Sequence, residues 1–378
     1  MRKRVMGEGT EELGSVVSNP LRVIIAGGGT GGHLFPAVAV AKEIVKRYGS
    51  ADIRFVIGRR KMESEILTRL GFHQQSIRVE GIKGRGWKKG IMVIIKLPYG
   101  FFQSVSILKR FSPHLVLGVG GYSSGPVCLA ARLMGVPTAI HEQNSFPGLT
   151  NRLLCRIVDK VFVSFEESRQ HFPCGTLYLT GNPVREELLA AEKDPRKRDE
   201  RFTILVVGGS LGALAINRAF VAALQILREE GKDPSVIHQS GQTDYAHVVE
   251  AYERRGLEGK IVPFIEDMAE AYRQADLVVS RAGATTVSEL AALGKPSILI
   301  PYPFAANRHQ ETNALMLARV GGAEMILEQD LSSEGLAELL MKYMDQRSAL
   351  EEMGKQAAKS GRRDAAKVIV DHLEAMRR

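Results

Sequence analysis

The stretch that decides the fold is Leu21-Arg-Val-Ile-Ile-Ala-Gly-Gly-Gly-Thr-Gly-Gly-His33, a short apolar run followed by a glycine-rich turn. Apolar residues without alternation are typical of a strand buried on both faces of a parallel sheet. Glycines directly after such a strand let the backbone approach a ligand, and the free N–H groups of a following helix favour anions. The stretch therefore predicts a strand, an anion-binding turn and a helix.

The same order of elements recurs in the second half as Phe202-Thr-Ile-Leu-Val-Val-Gly-Gly-Ser-Leu-Gly-Ala213. A third glycine-rich strand end, Leu115-Val-Leu-Gly-Val-Gly-Gly-Tyr-Ser-Ser-Gly-Pro126, lies in the first half. Short apolar runs alternate with amphipathic segments along the whole chain, as in α/β proteins. We therefore predict two Rossmann-like doubly wound domains that face each other across a cleft, with ligands at the carboxyl ends of the strands.

The domain boundary is predicted within Gly181-Asn-Pro-Val-Arg185, because proline lacks a backbone donor and favours an extended residue before it. The expected units are a frayed extension at 1–20, an N-terminal domain at 21–184, a C-terminal domain at 185–360, and a helix at 361–378 that packs back on the N-terminal domain. Strands are predicted near 21–26, 53–58, 115–119, 138–142, 160–164, 177–180, 203–207, 236–239, 260–263, 277–280, 297–301 and 323–326.

The composition is that of a globular protein, with 378 residues of which 44% are hydrophobic and 25% charged. No run approaches the about 20 apolar residues of a membrane-spanning helix. The three cysteines, at positions 128, 155 and 174, lack metal-ligand spacing, which favours reduced thiols in the cytoplasm. No Asp-x-Asp or His/Cys cluster lies near the glycine turns, so neither a metal nor a cofactor is expected.

Positive charge is concentrated in one segment of a chain whose formal net charge is +9. Residues 78–110 contain eight Lys or Arg and one Glu. Cations beside a tryptophan and an apolar run are typical of an interfacial anchor on an anionic leaflet, although a core helix with an exposed basic start is the alternative. We predict an anionic membrane surface, and no nucleic acid, as the partner of Lys83, Arg85, Trp87, Lys88, Lys89, Ile91 and Ile95.

The first glycine turn also satisfies the dinucleotide fingerprint Gly27-x-Gly29-x-x-Gly32, so an oxidoreductase is one alternative. That fingerprint needs an acidic residue for the ribose at the end of the second strand. Here the strand ends Val56-Ile-Gly-Arg-Arg60, without a carboxylate, although an arginine there would suit NADP. The match is therefore weak evidence for a nicotinamide cofactor.

The second half holds groups that suit a nucleoside-diphosphate sugar. Gly208-Gly-Ser210 offers amides and a hydroxyl to a phosphate, and Ala284–Thr286 present amides at a predicted helix N-terminus. Glu289, one turn further along, suits the two ribose hydroxyls. Its alternative role is that of a glutamate complementing the helix dipole.

Together these motifs resemble the MurG family of bacterial glycosyltransferases, which transfer N-acetylglucosamine from UDP-GlcNAc to the muramyl sugar of lipid I and so form lipid II. The resemblance runs from Leu21 to the C-terminus, with one departure at His309, where some members have glutamine. It is carried by Gly28-Gly-Thr-Gly-Gly-His33, Gly120-Gly-Tyr-Ser-Ser-Gly-Pro126, His141-Glu-Gln-Asn144, Gly148-Leu-Thr-Asn151, Gly181-Asn-Pro-Val-Arg185, Gly208-Gly-Ser210, His238-Gln-Ser-Gly241, Ala284–Glu289 and Asn307–Ala314.

The resemblance implies a two-domain GT-B fold, inversion at the anomeric carbon, no metal, and a peripheral place on the cytoplasmic face of the bacterial inner membrane. It implies that Ile265 reads uracil through its backbone, that Arg185 and Ser210 face the diphosphate, and that Asn144 and Gln310 touch the sugar. The implied donor-binding residues are Thr30, Gly31, Gly32, Asn144, Arg185, Ser210, Ile265, Ala284, Thr285, Thr286, Glu289 and Gln310. For the acceptor diphosphate they are Gly29, Gly121, Tyr122 and Ser123.

An inverting transfer needs a base for the C4 hydroxyl of the acceptor, and His33 is the first candidate. It follows the glycine turn and opens a helix whose positive dipole end favours the neutral imidazole. The alternative is that His33 only caps the turn or contacts a phosphate. His141 and Glu142, at another predicted strand end, are the rival bases. A related lipid glycosyltransferase and a non-catalytic scaffold are further alternatives for the whole chain.

Overall fold

The computed structural model describes residues 20–29, 31–59, 61–79, 87–173, 176–191, 201–209 and 212–377, with side chains between 87 and 97 excepted. The predicted extension at 1–20 therefore lies outside the described residues apart from Pro20.

In its described part, the N-terminal half is a parallel sheet covered by helices. Its strands are β1 Arg22–Ala26, β2 Asp52–Ile57, β3 His73–Ser76, β4 Leu115–Gly118, β5 Thr138–Glu142, β6 Lys160–Val163 and β7 Leu177–Leu179. Its helices are α1 Gly31–Tyr48, α2 Lys61–Arg69, α3 Trp87–Phe111, α4 Ser124–Leu133 and α5 Leu149–Leu154. The strand order is β3-β2-β1-β4-β5-β6-β7, so the order reverses between β1 and β4, where sheets of this kind bind ligands.

The C-terminal half repeats this architecture in the residues that the structure describes. Its strands are β8 Thr203–Val207, β9 Ser235–Gln239, β10 Lys260–Val262, β11 Leu277–Ser280, β12 Ser297–Leu299 and β13 Glu324–Met325, in the order β10-β9-β8-β11-β12-β13. Its helices are α6 Glu186–Ala191, α7 Leu214–Glu229, α8 Tyr245–Arg255, α9 Met268–Gln274, α10 Ala284–Leu293, α11 His309–Arg319, α12 Ser333–Asp345 and α13 Arg347–Ser360. The prediction of two doubly wound α/β domains is confirmed.

The last helix, α14 Ala365–Glu374, returns to the N-terminal half. Its Ile369, Val370 and Leu373 are buried in the same apolar cluster as residues of α1 and β1. At its edges, Asp371 accepts a hydrogen bond from Arg47 at 2.6 Å, and the carbonyl of His372 accepts one from the Lys160 ammonium at 2.9 Å. Each fully buried aliphatic side chain stabilises such packing by about 1.5–3 kcal/mol, so α14 is a structural part of the N-terminal core.

The element boundaries differ from the sequence predictions in two informative places. Strand β3 was not predicted, because His73-Gln-Gln-Ser76 is a polar edge strand without the apolar run of its neighbours. Helix α1 begins at Gly31, two residues before His33, which was expected to open it. His33 therefore lies inside the first turn of α1.

Candidate active site

Two glycine turns of the N-terminal half pack directly against each other at the reversal of strand order. The turn after β1 and the turn after β4 are joined by a hydrogen bond from the Gly28 amide to the Gly120 carbonyl, with an N···O distance of 3.4 Å. A Cβ on Gly121, whose φ is +79°, would lie 2.0 Å from the Gly28 carbonyl oxygen. Glycine is therefore required at Gly121 for both backbone approach and conformation.

The first of these turns is held by a buried carboxylate that sequence reasoning missed. Glu63, in the first turn of α2, has no exposed surface, and its Oε1 accepts the Gly29 amide at 2.5 Å. Oε2 lies 2.6 Å from the position of a Cβ on Gly28. In this conformation the Gly29 amide donates to the carboxyl group of Glu63, and contact between Gly29 and the acceptor diphosphate stays a prediction.

His33 reaches from α1 to the loop after β5. Its Nδ1 lies 2.8 Å from Oε1 of Gln143, and its ring is half-buried. The Gln143 amide in turn lies 3.0 Å from the Val119 carbonyl and 3.2 Å from Nδ1 of His141. Gln143 was not among the predicted site residues, although it stands directly after the rival pair.

The rival bases His141 and Glu142 are buried, and their polar atoms are engaged in hydrogen bonds. His141 is 1% exposed, Nε2 lies 3.1 Å from the Gly181 carbonyl oxygen, and burial lowers the pKa of the imidazole to about 4. Glu142 is also 1% exposed. Its two oxygens accept from the amides of Asn144 and Gly148 and from the side chains of Asn144 and Asn151, at 2.9–3.1 Å. Glu142 therefore orders the loop at 143–151, the alternative that sequence reasoning had left open.

On the opposite side of the cleft, Glu289 forms a buried network within the C-terminal half. Its carboxylate is 4% exposed and accepts from Arg185 at 3.0 Å and from the Tyr272 hydroxyl at 3.2 Å. Burial raises the pKa of Glu289 despite the nearby guanidinium. Arg185 also lies over the ring of Phe35, 4.6 Å from the centroid. Arg185 and Glu289 thus contact each other in this conformation, whereas the expectation placed them on different parts of the donor.

The other predicted donor residues are spread around this network. The Ile265 amide donates to Gln239 at 2.9 Å, and Gln310 accepts the Tyr302 amide at 3.0 Å. Asn144 is held by Glu142, as described above. Ala284 and Thr286 lie in the first turn of α10. Thr30 and Ser210 lie outside the described residues.

The two halves meet directly at the cleft. The Thr285 hydroxyl, at the start of α10, donates to the Gly32 carbonyl of α1 at 3.1 Å. The Ser145 amide donates to the Asn313 side chain at 3.3 Å. On the flank of α1, Lys42 pairs with Glu187 at 3.1 Å. These contacts close the carboxyl ends of the two sheets upon each other and place Gly31 and Gly32 at the interface.

The predicted acceptor and membrane residues lie on the N-terminal half. Tyr122 is 46% exposed, whereas Ser123 is buried before α4. Lys83 and Arg85 are outside the described residues, as are the side chains of Trp87, Lys88, Lys89, Ile91 and Ile95 within α3. Among the described residues, no helix is both long and apolar enough to cross a bilayer, and no group of three His, Cys, Asp or Glu side chains is placed to hold a metal ion.

Comparisons with known proteins agree with this architecture. A model of the glycosyltransferase family 28 N-terminal domain matches residues 23–163, and one of the family 28 C-terminal domain matches residues 203–369. The crystal structure of MurG from Acinetobacter baumannii matches with a TM-score of 0.74 and 32% identity, covering 94% of this chain and 100% of that one. The chain belongs to the MurG family of glycosyltransferases.

Two curated members of the MurG family extend this finding at higher identity. Both are named UDP-N-acetylglucosamine–N-acetylmuramyl-(pentapeptide) pyrophosphoryl-undecaprenol N-acetylglucosamine transferase. The one from Syntrophus aciditrophicus is 46% identical over 94% of this chain and 99% of its own length. The one from Geotalea uraniireducens is 47% identical over 93% and 98%.

Proposed function

We propose that this chain transfers N-acetylglucosamine from UDP-GlcNAc to the C4 hydroxyl of the muramyl sugar of lipid I, with inversion at the anomeric carbon, and so forms lipid II. The observation that carries the proposal is the contact between Thr285 and Gly32, because it brings the donor-side helix α10 against the turn that presents His33. The names of the two relatives at 46% and 47% identity describe the same transfer.

In the proposed reaction His33 takes the proton of the acceptor hydroxyl as that oxygen attacks the anomeric carbon and UDP leaves. His33 is half-buried at the meeting point of the two halves, and one ring nitrogen is engaged by Gln143. His141 and Glu142 are disfavoured as the base, because their polar atoms are hydrogen-bonded inside the N-terminal half. A positioned base typically contributes about 10²–10⁴ in rate.

The donor is proposed to lie against the C-terminal half. A carboxylate offers about four acceptor positions, so Glu289 can receive ribose hydroxyls beside its bonds to Arg185 and Tyr272. Arg185 and Ser210 serve the diphosphate, and the amides of 284–286 add donors at the N-terminus of α10. Ile265 contacts uracil through its backbone, with Gln239 as the existing partner of its amide. Asn144 and Gln310 contact the sugar.

The acceptor is proposed to approach from the N-terminal half, on an anionic membrane surface at the cytoplasmic face. Gly29, Gly121, Tyr122 and Ser123 serve its diphosphate. Helix α4 packs against both α3 and α5, and all three helices carry large exposed apolar side chains, which supports a membrane-facing surface on this half. They are Phe102 of α3, Leu133 of α4, and Leu149 and Leu153 of α5, which are 59–71% exposed.

The decisive test is transfer of radiolabel from UDP-GlcNAc to lipid I by the purified chain, with UDP-glucose as the donor control. We expect His33→Ala to lower kcat by about 10²–10⁴ while the affinity for UDP-GlcNAc changes little, because the lost interaction belongs to the transition state. The acidic limb of the wild-type rate profile should disappear with it. A large rise in acceptor KM with a near-normal kcat would instead make His33 a phosphate contact.

Binding, thermal-melt and acceptor-competition measurements separate the remaining alternatives for the chain. A scaffold would bind lipid I without turnover. An oxidoreductase would be stabilised against heat by NADP rather than by UDP, since a ligand that binds the folded state raises Tm. A related lipid glycosyltransferase would transfer label to a diglyceride in preference to lipid I.

A further inference from the structure

We propose that Gln143 is a positioning residue that holds His33 as the tautomer with its proton on Nδ1, so that the Nε2 lone pair faces the acceptor hydroxyl. The inference rests on the proposed role of His33 as the base. The hydrogen-bond chain that runs from the Gly181 carbonyl through His141 and Gln143 to His33 carries the argument, since the direction of each bond follows from the one before it.

The series of hydrogen bonds starts at the backbone carbonyl of Gly181. The carbonyl oxygen of Gly181 only accepts, so Nε2 of His141, 3.1 Å away, must donate. His141 is 1% exposed, and burial lowers its pKa to about 4, so the ring is neutral at pH 7 and carries one N–H. Nδ1 of His141 is therefore an acceptor.

Two acceptors then face the same end of the Gln143 side chain. Nδ1 of His141 lies 3.2 Å from one terminal atom of the amide, and the carbonyl oxygen of Val119 lies 3.0 Å from that atom. Only the NH₂ end of a primary amide can serve both, which leaves Oε1 directed at His33. The bond between Oε1 and Nδ1 of His33, at 2.8 Å, must therefore be donated by the histidine.

The Gln143 side chain, which holds this tautomer, is rigid. Gln143 is 1% exposed and follows β5 directly, and its NH₂ group donates to the carbonyl of Val119, directly after β4. The sheet therefore fixes both the backbone of Gln143 and the NH₂ end of its amide. The His141 imidazole of β5 is joined to His33 through Gln143, and Glu142 is its neighbour on the same strand. Glu142 is satisfied by the loop that it orders, and α5 contributes the neutral Asn151. The amide of Gln143 is thus the group that selects the tautomer.

The first test reads the tautomer in the wild-type protein. In ¹⁵N-labelled full-length protein, the ring nitrogens of His33 should show a protonated Nδ1 and an unprotonated Nε2 at a pH where the ring is neutral, with His33→Ala used for assignment. A protonated Nε2 in the wild type would overturn the inference. That observation would overturn the inference even in a protein with full transferase activity.

The second test uses two substitutions of the amide. Gln143→Leu removes both its donor and its acceptor, and we expect kcat to fall by about 10–100-fold with donor KM within about twofold, as for partners that orient a reacting histidine. Gln143→Glu places a carboxylate against Nδ1, which stabilises the imidazolium, so the acidic limb of the kcat profile should move up by about one pH unit. Gln225→Leu, at a half-buried position of α7 whose amide donates to Glu229, is the matched control.

The outcomes separate this inference from the proposed function. If the His33 tautomer is as expected in the wild type and is lost in Gln143→Leu while kcat is unchanged, the base assignment fails and the positioning role stands. If kcat of Gln143→Leu and the acidic limb of Gln143→Glu both match the wild type, and the tautomer is unchanged in both, the positioning role is wrong. Should Gln143→Leu not fold, the wild-type spectrum and Gln143→Glu still decide.

Discussion

Replacing Glu289 tests the donor site and the fold at once, and the structure shows how to separate them. Glu289→Ala removes a buried carboxylate that accepts from Arg185 and Tyr272. Removing one partner of a buried ion pair costs about 3–5 kcal/mol when the other is fully buried. The Arg185 side chain keeps 17% exposure, so the lower end of that range applies, with about 1–3 kcal/mol more for the unpaired Tyr272 hydroxyl. Loss of donor binding in this variant would therefore be mixed with loss of stability.

Glu289→Gln is the informative change, because it keeps the shape and one acceptor oxygen while removing the charge. We expect a stability loss of about 1–2 kcal/mol, which lowers Tm by about 2–8 °C for a domain of this size. A hydrogen bond to a charged group contributes about 1.5–3 kcal/mol, so the Kd for UDP-GlcNAc should rise by about 10–150-fold. Calorimetric titration with UDP-GlcNAc and a thermal melt of the free protein measure the two effects separately.

Tyr272→Phe is the matched control. It removes one hydrogen bond to the same carboxylate from a side chain that is 2% exposed. We expect a loss of about 1 kcal/mol in stability, with donor affinity within about threefold of the wild type. If Glu289→Gln bound UDP-GlcNAc as tightly as the wild type, the carboxylate would serve the fold alone, and the assignment to ribose would be refuted.

Three further predictions follow from charge and burial. Binding to anionic vesicles should weaken as salt shortens the Debye length from about 10 Å at 0.1 M to about 3 Å at 1 M, and should fall when Lys88 and Lys89 become Ala, whereas equal binding to neutral vesicles would contradict an electrostatic anchor. Burial lowers the pKa of His141 and of His238 from 6.5 to about 4, so between these pH values the unfolded chain binds more protons than the folded protein. The free energy of unfolding should therefore fall as the pH drops from 6.5 to 4, by up to about 1.4 kcal/mol per pH unit for each histidine. His238→Gln should flatten that slope in urea titrations, and an unchanged slope would contradict it. EDTA should leave turnover unchanged, because backbone amides and Arg185 are proposed to stabilise the leaving diphosphate, and restoration of activity by Mg²⁺ after EDTA would refute this.

The architecture could be predicted because its signals are local. The buried stretches at 23–26 and 204–207 are continuous apolar runs, and each is followed directly by glycines. Strand β3 was not predicted, because an edge strand of polar residues has no such apolar run. Strand ends were predicted one or two residues too long at several positions, for example at Val119 and Ile300, where an apolar residue follows the last residue of the strand.

The contacts of the site could not be predicted, because they join residues far apart in the chain. Gln143 meets His33 across 110 positions, and Arg185 meets Glu289 across 104. The helix and strand periodicity of the sequence gives no information about such long-range pairs. Glu63 was visible only as an acidic residue in the first turn of a helix, a place where a carboxylate commonly serves the helix dipole. Its contact with Gly29 depends on the packing of α2 against the glycine turn.

The return of α14 to the N-terminal half has a consequence for folding during synthesis on the ribosome. Strands β1 to β7 are complete when residue 179 has been made, but the side chains of Ile369 and Leu373 that cover one face of that sheet come last. The intervening roughly 190 residues take about 10–40 s to synthesise at about 5–20 residues per second. For that time the N-terminal sheet has an uncovered apolar strip, so the nascent chain should bind chaperones until its final helix leaves the tunnel, and a stop codon before residue 365 should leave the first half insoluble.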